Sequence, residues 1–368
     1  MKPAEACRVE LLHGNMPHAA NKEDRMLSIS PFWKRHRTVN LALQGGGAHG
    51  AFTWGVLDAL LEDGRYRFEG VSGTSAGAMN AVVLANGLLN GGPEAAREAL
   101  TRFWTAVAES VPFELITRAL DGGFKVSPAV SLLLDLTHYF SPSQLNPFDL
   151  NPLRKVVEAQ IDFERLRAES PIKLFVAATR ANNGTLRIFK NADMSADAVL
   201  ASACLPTIHH AIEIDGEPYW DGGYSANPAI YPLFYECAAP DIVLVLLSPG
   251  KLGENPESAR EIQARAVDIA FNSAFRREMN AIMQARDYAA ASLIPLGRLE
   301  RRLQRLRFHL IDATRDMRTL PYESKMTAHL HFLETLRDMG RARARRWLRS
   351  KDAAVGRRSS LNLASVFE

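Results

Sequence analysis

Two glycine-rich turns, each set between a short apolar run and a helical pattern, constrain this 368-residue chain more than any other feature. The first is Gly45-Gly46-Gly47-Ala48-His49-Gly50. It follows the run Thr38 to Leu43 and precedes a helix pattern over 48–63, in which Phe52, Val56 and Leu60 recur every fourth residue. Gly64 then stands where a helix C-cap glycine belongs. The second turn is Gly73-Thr74-Ser75-Ala76-Gly77, between a run at 68–71 and a small-residue helix at 76–85. Two strand–turn–helix units in succession predict an α/β fold with a central, mostly parallel sheet flanked by helices. Runs at 172–178, 185–189 and 242–247 supply further strands.

The remainder divides by pattern. Residues 1–36 read as a polar, flexible leader without the apolar h-region of a signal peptide. Residues 37–250 hold the α/β domain, and 251–368 read as a helical, basic C-terminal extension with helices over 256–288 and 322–350. Within the α/β domain, about 92–170 is a helical insertion around the Pro-rich SPSQLNPFDLNP. It carries Phe103, Trp104, Phe113, Leu115, Ile116, Leu132, Leu133 and Leu134, and reads either as a cover over a site or as a plain helical layer. A composition 47% hydrophobic and 23% charged excludes a chain disordered throughout. No apolar run reaches the roughly 18–20 residues of a membrane span. Cys7, Cys204 and Cys237 are odd in number and widely spaced, which points to a reducing, cytoplasmic setting and away from disulfide or zinc frameworks.

The net charge of +3 conceals an asymmetry, because residues 296–358 hold 17 Lys+Arg against 7 Asp+Glu. These basic helices are either solvated faces or a peripheral contact with an anionic membrane, where each basic residue adds roughly 1 kcal/mol. No aromatic-rich motif accompanies the charge, so no nucleic acid partner is expected.

The chemistry gathers at the turns. A glycine loop leading into a helix leaves backbone N–H groups free to hold an anion, helped by the positive end of the helix dipole. That anion is either a phosphate or an oxyanion formed during reaction. Gly45, Gly47 and Gly50 also fit the dinucleotide fingerprint G-x-G-x-x-G, for which Glu69 has the right separation but lies near the start of its strand. Gly73 to Gly77 fits the nucleophile elbow G-x-S-x-G, which exposes a serine hydroxyl on a sharp strand-to-helix turn. Ser75 then needs a base. His209 and His210 are candidates for a Ser-His-Asp arrangement, with His309 a poorer one. Asp221-Gly222-Gly223, after a hairpin-like EIDGEPYW, offers a carboxylate that can take the proton directly. The same tripeptide at Asp121-Gly122-Gly123 falls in the helical insertion, so Asp221 is preferred.

In this order, the glycine loop, the G-T-S-A-G elbow and the D-G-G turn resemble the patatin-like phospholipases, with ASACLP (201–206) and DGGYSANP (221–228) adding to the likeness over about 38–250. The resemblance implies an α/β serine hydrolase with a Ser–Asp dyad. Ser75 would be the nucleophile and Asp221 the base, and backbone around Gly45, Gly46, Gly47 and Gly50 the oxyanion hole. Gly73, Gly77, Gly222 and Gly223 would support the elbow and the turn. It further implies a lipid acyl hydrolase acting on phospholipids or lysophospholipids through an acyl-enzyme, with no metal or cofactor. Many members carry Arg or Lys where this chain has His49, which leaves a fixed positive charge beside the oxyanion in question. Aromatic and leucine-rich segments at 103–116 and 130–140 would line an acyl tunnel or serve as core. The competing readings are a Ser-His-Asp esterase or thioesterase and a non-hydrolytic nucleotide-binding module built on the Gly45–Gly50 loop.

Overall fold

Leu41, Ala42 and Leu43 are wholly buried on β1 (Arg37–Leu43), the strand at the centre of the sheet. The computed structural model describes residues 36–110, 116–118, 124–126, 141–146, 149, 151–248, 255–291, 297–317, 320 and 322–363. The leader up to residue 35, the leucine run at 132–134 and the second Asp-Gly-Gly at 121–123 lie outside them.

β1 pairs in parallel with β2 (Tyr66–Thr74), and β2 in parallel with β5 (Lys173–Arg180). On its other side β1 meets β9 (Asp241–Leu246), which pairs in parallel with β10 (Arg307–Asp312). Beyond β5 the sheet turns antiparallel, through β6 (Leu186–Lys190) and through β8 (Glu217–Asp221), which forms a hairpin with β7 (Ile212–Ile214). The expected mostly parallel sheet is thus present. Its central strands are buried on both faces, which is why they read as continuous apolar runs.

Helices cover the sheet. α1 (Gly50–Asp63) stops at Gly64, whose left-handed φ of +70° lets its amide reach the Leu60 carbonyl. α2 (Ala76–Ser110) runs far beyond the expected 85, with a kink at Gly91 and Gly92. The described part of the insertion holds a small hairpin, β3 (Ile116–Arg118) and β4 (Phe124–Val126). It also holds α3 (Pro142–Leu145), α4 (Pro152–Gln160) and α5 (Phe163–Glu169). α6 (Ala196–Ser202) and α7 (Tyr231–Glu236) precede the last two strands in the chain.

After 250 come α8 (Ala259–Ala291), α9 (Arg298–Arg305), α10 (Thr314–Met317), a 3-10 turn at Tyr322–Met326 and α11 (Leu330–Ser350). This segment, expected to be helical, also supplies β10, and residues 36–368 cluster as one unit. Phe308 and Ile311 of β10 are buried, yet Arg305 and Arg307 beside them gave the stretch the look of a solvated basic helix. α11 packs on α1 closely enough that Gly55 faces the Arg337 carbonyl and Gly340 the Phe52 carbonyl.

Candidate active site

Strand register brings the motifs together. Leu43, two residues before the glycine loop, pairs with Gly73, and Thr74 pairs with Ala177. One residue along β5, Ala178 pairs with Asp221. The glycine loop, the serine and the aspartate therefore meet at one edge of the sheet, the end at which parallel strands deliver their loops.

Ser75 adopts a φ of +54°, a strained conformation for a residue with a side chain, worth about 1–3 kcal/mol. The elbow is held by its surroundings. The Ser75 amide donates to Ser202 Oγ on α6 at 2.9 Å, and Thr74 Oγ1 donates to the Ala226 carbonyl at 2.8 Å. Gly73 and Gly77 face each other across the turn, and Gly77 also lies against the Leu43 carbonyl, so neither position has room for a Cβ. The amides of Ala78 and Met79 close the first turn of α2 on the Ser75 carbonyl.

The Ser75 and Asp221 side chains line the same cavity. Asp221 is 1% exposed, and burial pushes its carboxyl up to about 7, against the lowering effect of the Gly223 amide and the neighbouring Ser75 side chain. The Gly223 amide reaches Asp221 Oδ1 at 2.7 Å, and Thr179 Oγ1 donates to the Asp221 carbonyl at 2.8 Å. Gly222 lies on the Ala177 carbonyl and Gly223 under the Phe271 ring, so the turn is fixed on both sides.

The four loop glycines are not equivalent. The Gly45 amide is taken by Asn227 Oδ1 at 2.7 Å, and the Gly50 amide by the carbonyls of Gly47 and Ala48. Among the described residues, the amides of Gly46 and Gly47 have no acceptor, which leaves them as the donors available to an incoming oxyanion. Gly45 also lies against Ser75, a Cβ there falling 2.8 Å from that of the serine. His49 is buried, its Nε2 2.8 Å from Ser324 Oγ. Burial and nearby Lys325 bring its pKa down to about 3, so it carries no charge.

Ser75, Asp221 and the loop line one cavity of about 260 Å³. Met79, Phe103, Trp104, Val107 and Leu153 form an apolar wall, in which Phe103 and Trp104 also belong to the buried core, and residues 111–115 and 130–140 lie outside the described residues. Several contributors were given no role from the sequence: Ser202, Thr179 and Asn227, and from the C-terminal segment Asp268, Phe271, Asn272 and Lys325. Ser202 and Asn227 stood inside stretches already singled out, ASACLP and DGGYSANP.

The rival assignments fare differently. His209 lines the cavity, but its Nδ1 is buried with no hydrogen-bond partner among the described residues, so the carboxylate that orients a triad histidine is lacking. His210 Nε2 lies 3.1 Å from the Asn146 carbonyl, and His309 sits between Asp241 and Ser360 on β10. Glu69 receives the amides of Ala238 and Ala239 and the Lys173 ammonium, far along β2 from the glycine loop. The outer side of Gly47 is covered by the Lys325 carbonyl. A dinucleotide fits neither feature.

Fold and site together define an α/β scaffold of the esterase class, with its polar groups at the edge of an apolar cavity. The chain belongs to the patatin-like phospholipase family, whose model matches residues 41–234. Among solved structures it is similar to VipD from Legionella pneumophila, at 18% identity and a TM-score of 0.36, covering 83% of this chain and 67% of that one. It is also similar to ExoU of the Pseudomonas aeruginosa type III secretion system, solved with SpcU, at 16% identity and a TM-score of 0.31. That match covers 84% of this chain, which spans about half, 53%, of the ExoU chain. No curated protein matches the chain.

Proposed function

We propose that the chain hydrolyses carboxylic ester bonds of phospholipids or lysophospholipids through a Ser75–Asp221 dyad and an acyl-enzyme. The observation that carries this reading is the convergence of Ser75, on its strained elbow, with a buried carboxylate whose pKa lies near 7 and with the glycine loop in the lining of one cavity. A base poised near neutrality both accepts a proton readily and is ionised at working pH. Asp221 takes the Ser75 proton as Oγ attacks the ester carbonyl. The tetrahedral oxyanion is held by the Gly46 and Gly47 amides, each worth roughly 3–4 kcal/mol in a water-excluded site. Asp221 then protonates the leaving alcohol, and water hydrolyses the acyl-enzyme by the reverse route.

Hydrolysis of p-nitrophenyl butyrate by wild type, Ser75→Ala and Asp221→Asn tests the dyad. Both variants are expected to stay folded and lose about 10³-fold or more in kcat. An active Asp221→Asn returns the base assignment to His209.

We assign the contact with an anionic membrane to α9, whose short length carries three arginines without a carboxylate partner among the described residues, against Arg346 and Arg349 on the longer α11. On α11, Arg341 pairs with Asp58 and Glu62, Arg343 with Asp316 and Arg345 with Glu62. Arg298, Arg301 and Arg305 of α9 have no carboxylate partner among the described residues. Among those residues no helix is long and apolar enough to cross a membrane. Replacing the three α9 arginines with Gln is therefore expected to weaken flotation with phosphatidylserine-containing vesicles, whereas flotation equal to wild type removes the assignment.

A further inference from the structure

The C-terminal segment supplies charge to the cavity. Besides the apolar side chains of α2 and α4, α8 contributes Asp268, Phe271 and Asn272 to the lining, and the 3-10 turn contributes Lys325. Lys325 Nζ and Asp268 Oδ1 are 2.6 Å apart, and the two side chains keep only 22% and 24% of their surface in solvent. Apart from Asp221, these are the charged side chains of the described lining, since His49 lies behind the loop and is neutral. The pair is also held in place. The Lys325 carbonyl rests on Gly47, Ser324 meets His49, and the Gln44 side chain joins the base of the glycine loop to Asn272 on α8 at 2.6 Å.

We propose that the Asp268–Lys325 pair reads the substrate's head group and selects a zwitterionic phosphodiester, one bearing both a phosphate and an ammonium, over an anionic one. This rests on the lipid hydrolase reading of the same cavity. A half-buried ion pair that opens to admit a ligand must leave each charge with a partner, because an orphaned charge there is costly. A zwitterion meets that condition, with its phosphate going to Lys325 and its ammonium to Asp268. A head group with phosphate alone takes Lys325, strands Asp268 and adds repulsion between two anions. Discrimination therefore comes from the repulsive arm as much as the attractive one. The Phe271 ring, tilted by 57° against Tyr224 with centroids 4.6 Å apart, adds an aromatic surface to the lining that Asp268 shares and that suits an ammonium or its quaternary form. The apolar side chains of the lining receive the acyl chain, and Ser75 lies with the glycine loop in the same cavity lining.

The test compares kcat/KM for phosphatidylcholine and phosphatidylglycerol of identical acyl chains, each diluted in micelles of neutral detergent so that surface charge is matched. Wild type is expected to favour phosphatidylcholine by about tenfold. Asp268→Asn, which removes the carboxylate from the pair, is expected to bring the ratio to unity or reverse it. Lys325→Met is expected to raise KM for both lipids. If wild type uses both lipids equally, or if both variants lose activity on both lipids with the ratio unchanged, the pair serves structure alone and the proposal is overturned. Where Asp268→Asn does not fold, the ratio is read instead from binding of non-hydrolysable ether analogues of the two lipids to Ser75→Ala. A wild type active on p-nitrophenyl butyrate but with a ratio of one sinks head-group selection only. A wild type inert on that ester and on both lipids sinks the hydrolase reading and this proposal with it.

Discussion

As the proposed base, Asp221 must give up its proton to act, yet it lies where a charge is poorly solvated, and both activity and stability inherit that conflict. Its carboxyl is raised to about 7 by burial. The kcat/KM on a neutral ester is therefore expected to rise about tenfold per pH unit below 7 and to level off above it. Stability runs the other way. Between the ordinary value of 3.8 and about 7 the folded state keeps a proton that the unfolded chain has released, so raising pH through that window weakens the fold. Asp221→Asn removes the buried charge while its amide oxygen can still accept from Gly223. At pH 8 it is expected to be inactive and more stable than wild type by about 2–4 kcal/mol, read from urea midpoints. Equal midpoints at pH 5 and pH 8 in wild type would contradict the raised pKa. Ser75 and Asp221 were legible in the sequence because glycines flank them and strands precede them. Thr179 was not, since a single hydroxyl on a strand carries no pattern until register places it, and Ser202 stood within ASACLP without any sign of its hold on the Ser75 amide.

At the scale of elements, punctuation decided what could be read. β1, β2 and α1 announce themselves through Gly45–Gly50, Gly64 and Gly73–Gly77; Gly45, Gly47, Gly73 and Gly77 stand where backbone passes close to backbone, and Gly64 takes the left-handed cap of α1. β10 has no such marks. Arginines precede and begin it, and its strand character comes from pairing with β9, a contact almost seventy positions away in sequence. The turn at Tyr322–Met326 was equally silent, although it clamps the glycine loop. At Gly47 the two constraints meet, because a φ of +58° disfavours any side chain and the Lys325 carbonyl fills the space a Cβ would take. Gly47→Ala is expected to push that turn off the loop, costing about 2 kcal/mol of stability and at least tenfold in kcat as the Gly47 amide moves away from the oxyanion. Thermal melts and ester kinetics on the same sample check this. A variant with wild-type kcat would remove Gly47 from the donor set.

Over the whole molecule, the family match ends at residue 234 while the packing does not. Ala42, Phe175 and Ile242, on three strands of the sheet, share a core with Phe275 and Met279 of α8, Leu303 of α9, Leu306 just after it and Phe308 of β10. On the opposite face, Phe332, Leu333 and Leu336 of α11 join the main core against α1. The sequence of α1 already carried this signal, since GAFTWGVLDALLED is apolar on nearly every side and a helix of that kind needs cover all round. Its one buried acid, Asp58, is met by Arg97 of α2 at 2.7 Å and by Arg341 of α11. Ending the chain at 250 would strip all three supports: β9 would become a bare edge, α1 would lose its outer layer, and Asp58 would keep one partner of two. Lys325 and Asp268 would leave the cavity as well. Residues 36–250 alone are therefore expected to show no cooperative melt, rapid proteolysis and no esterase activity, against a single sharp transition for the full chain. Adding residues 251–368 in trans should restore none of this unless β10 can dock on β9 unaided. A cooperative, active 36–250 fragment would mean that the C-terminal layer merely decorates a self-sufficient hydrolase, and that the cavity's charged wall is dispensable for forming the site.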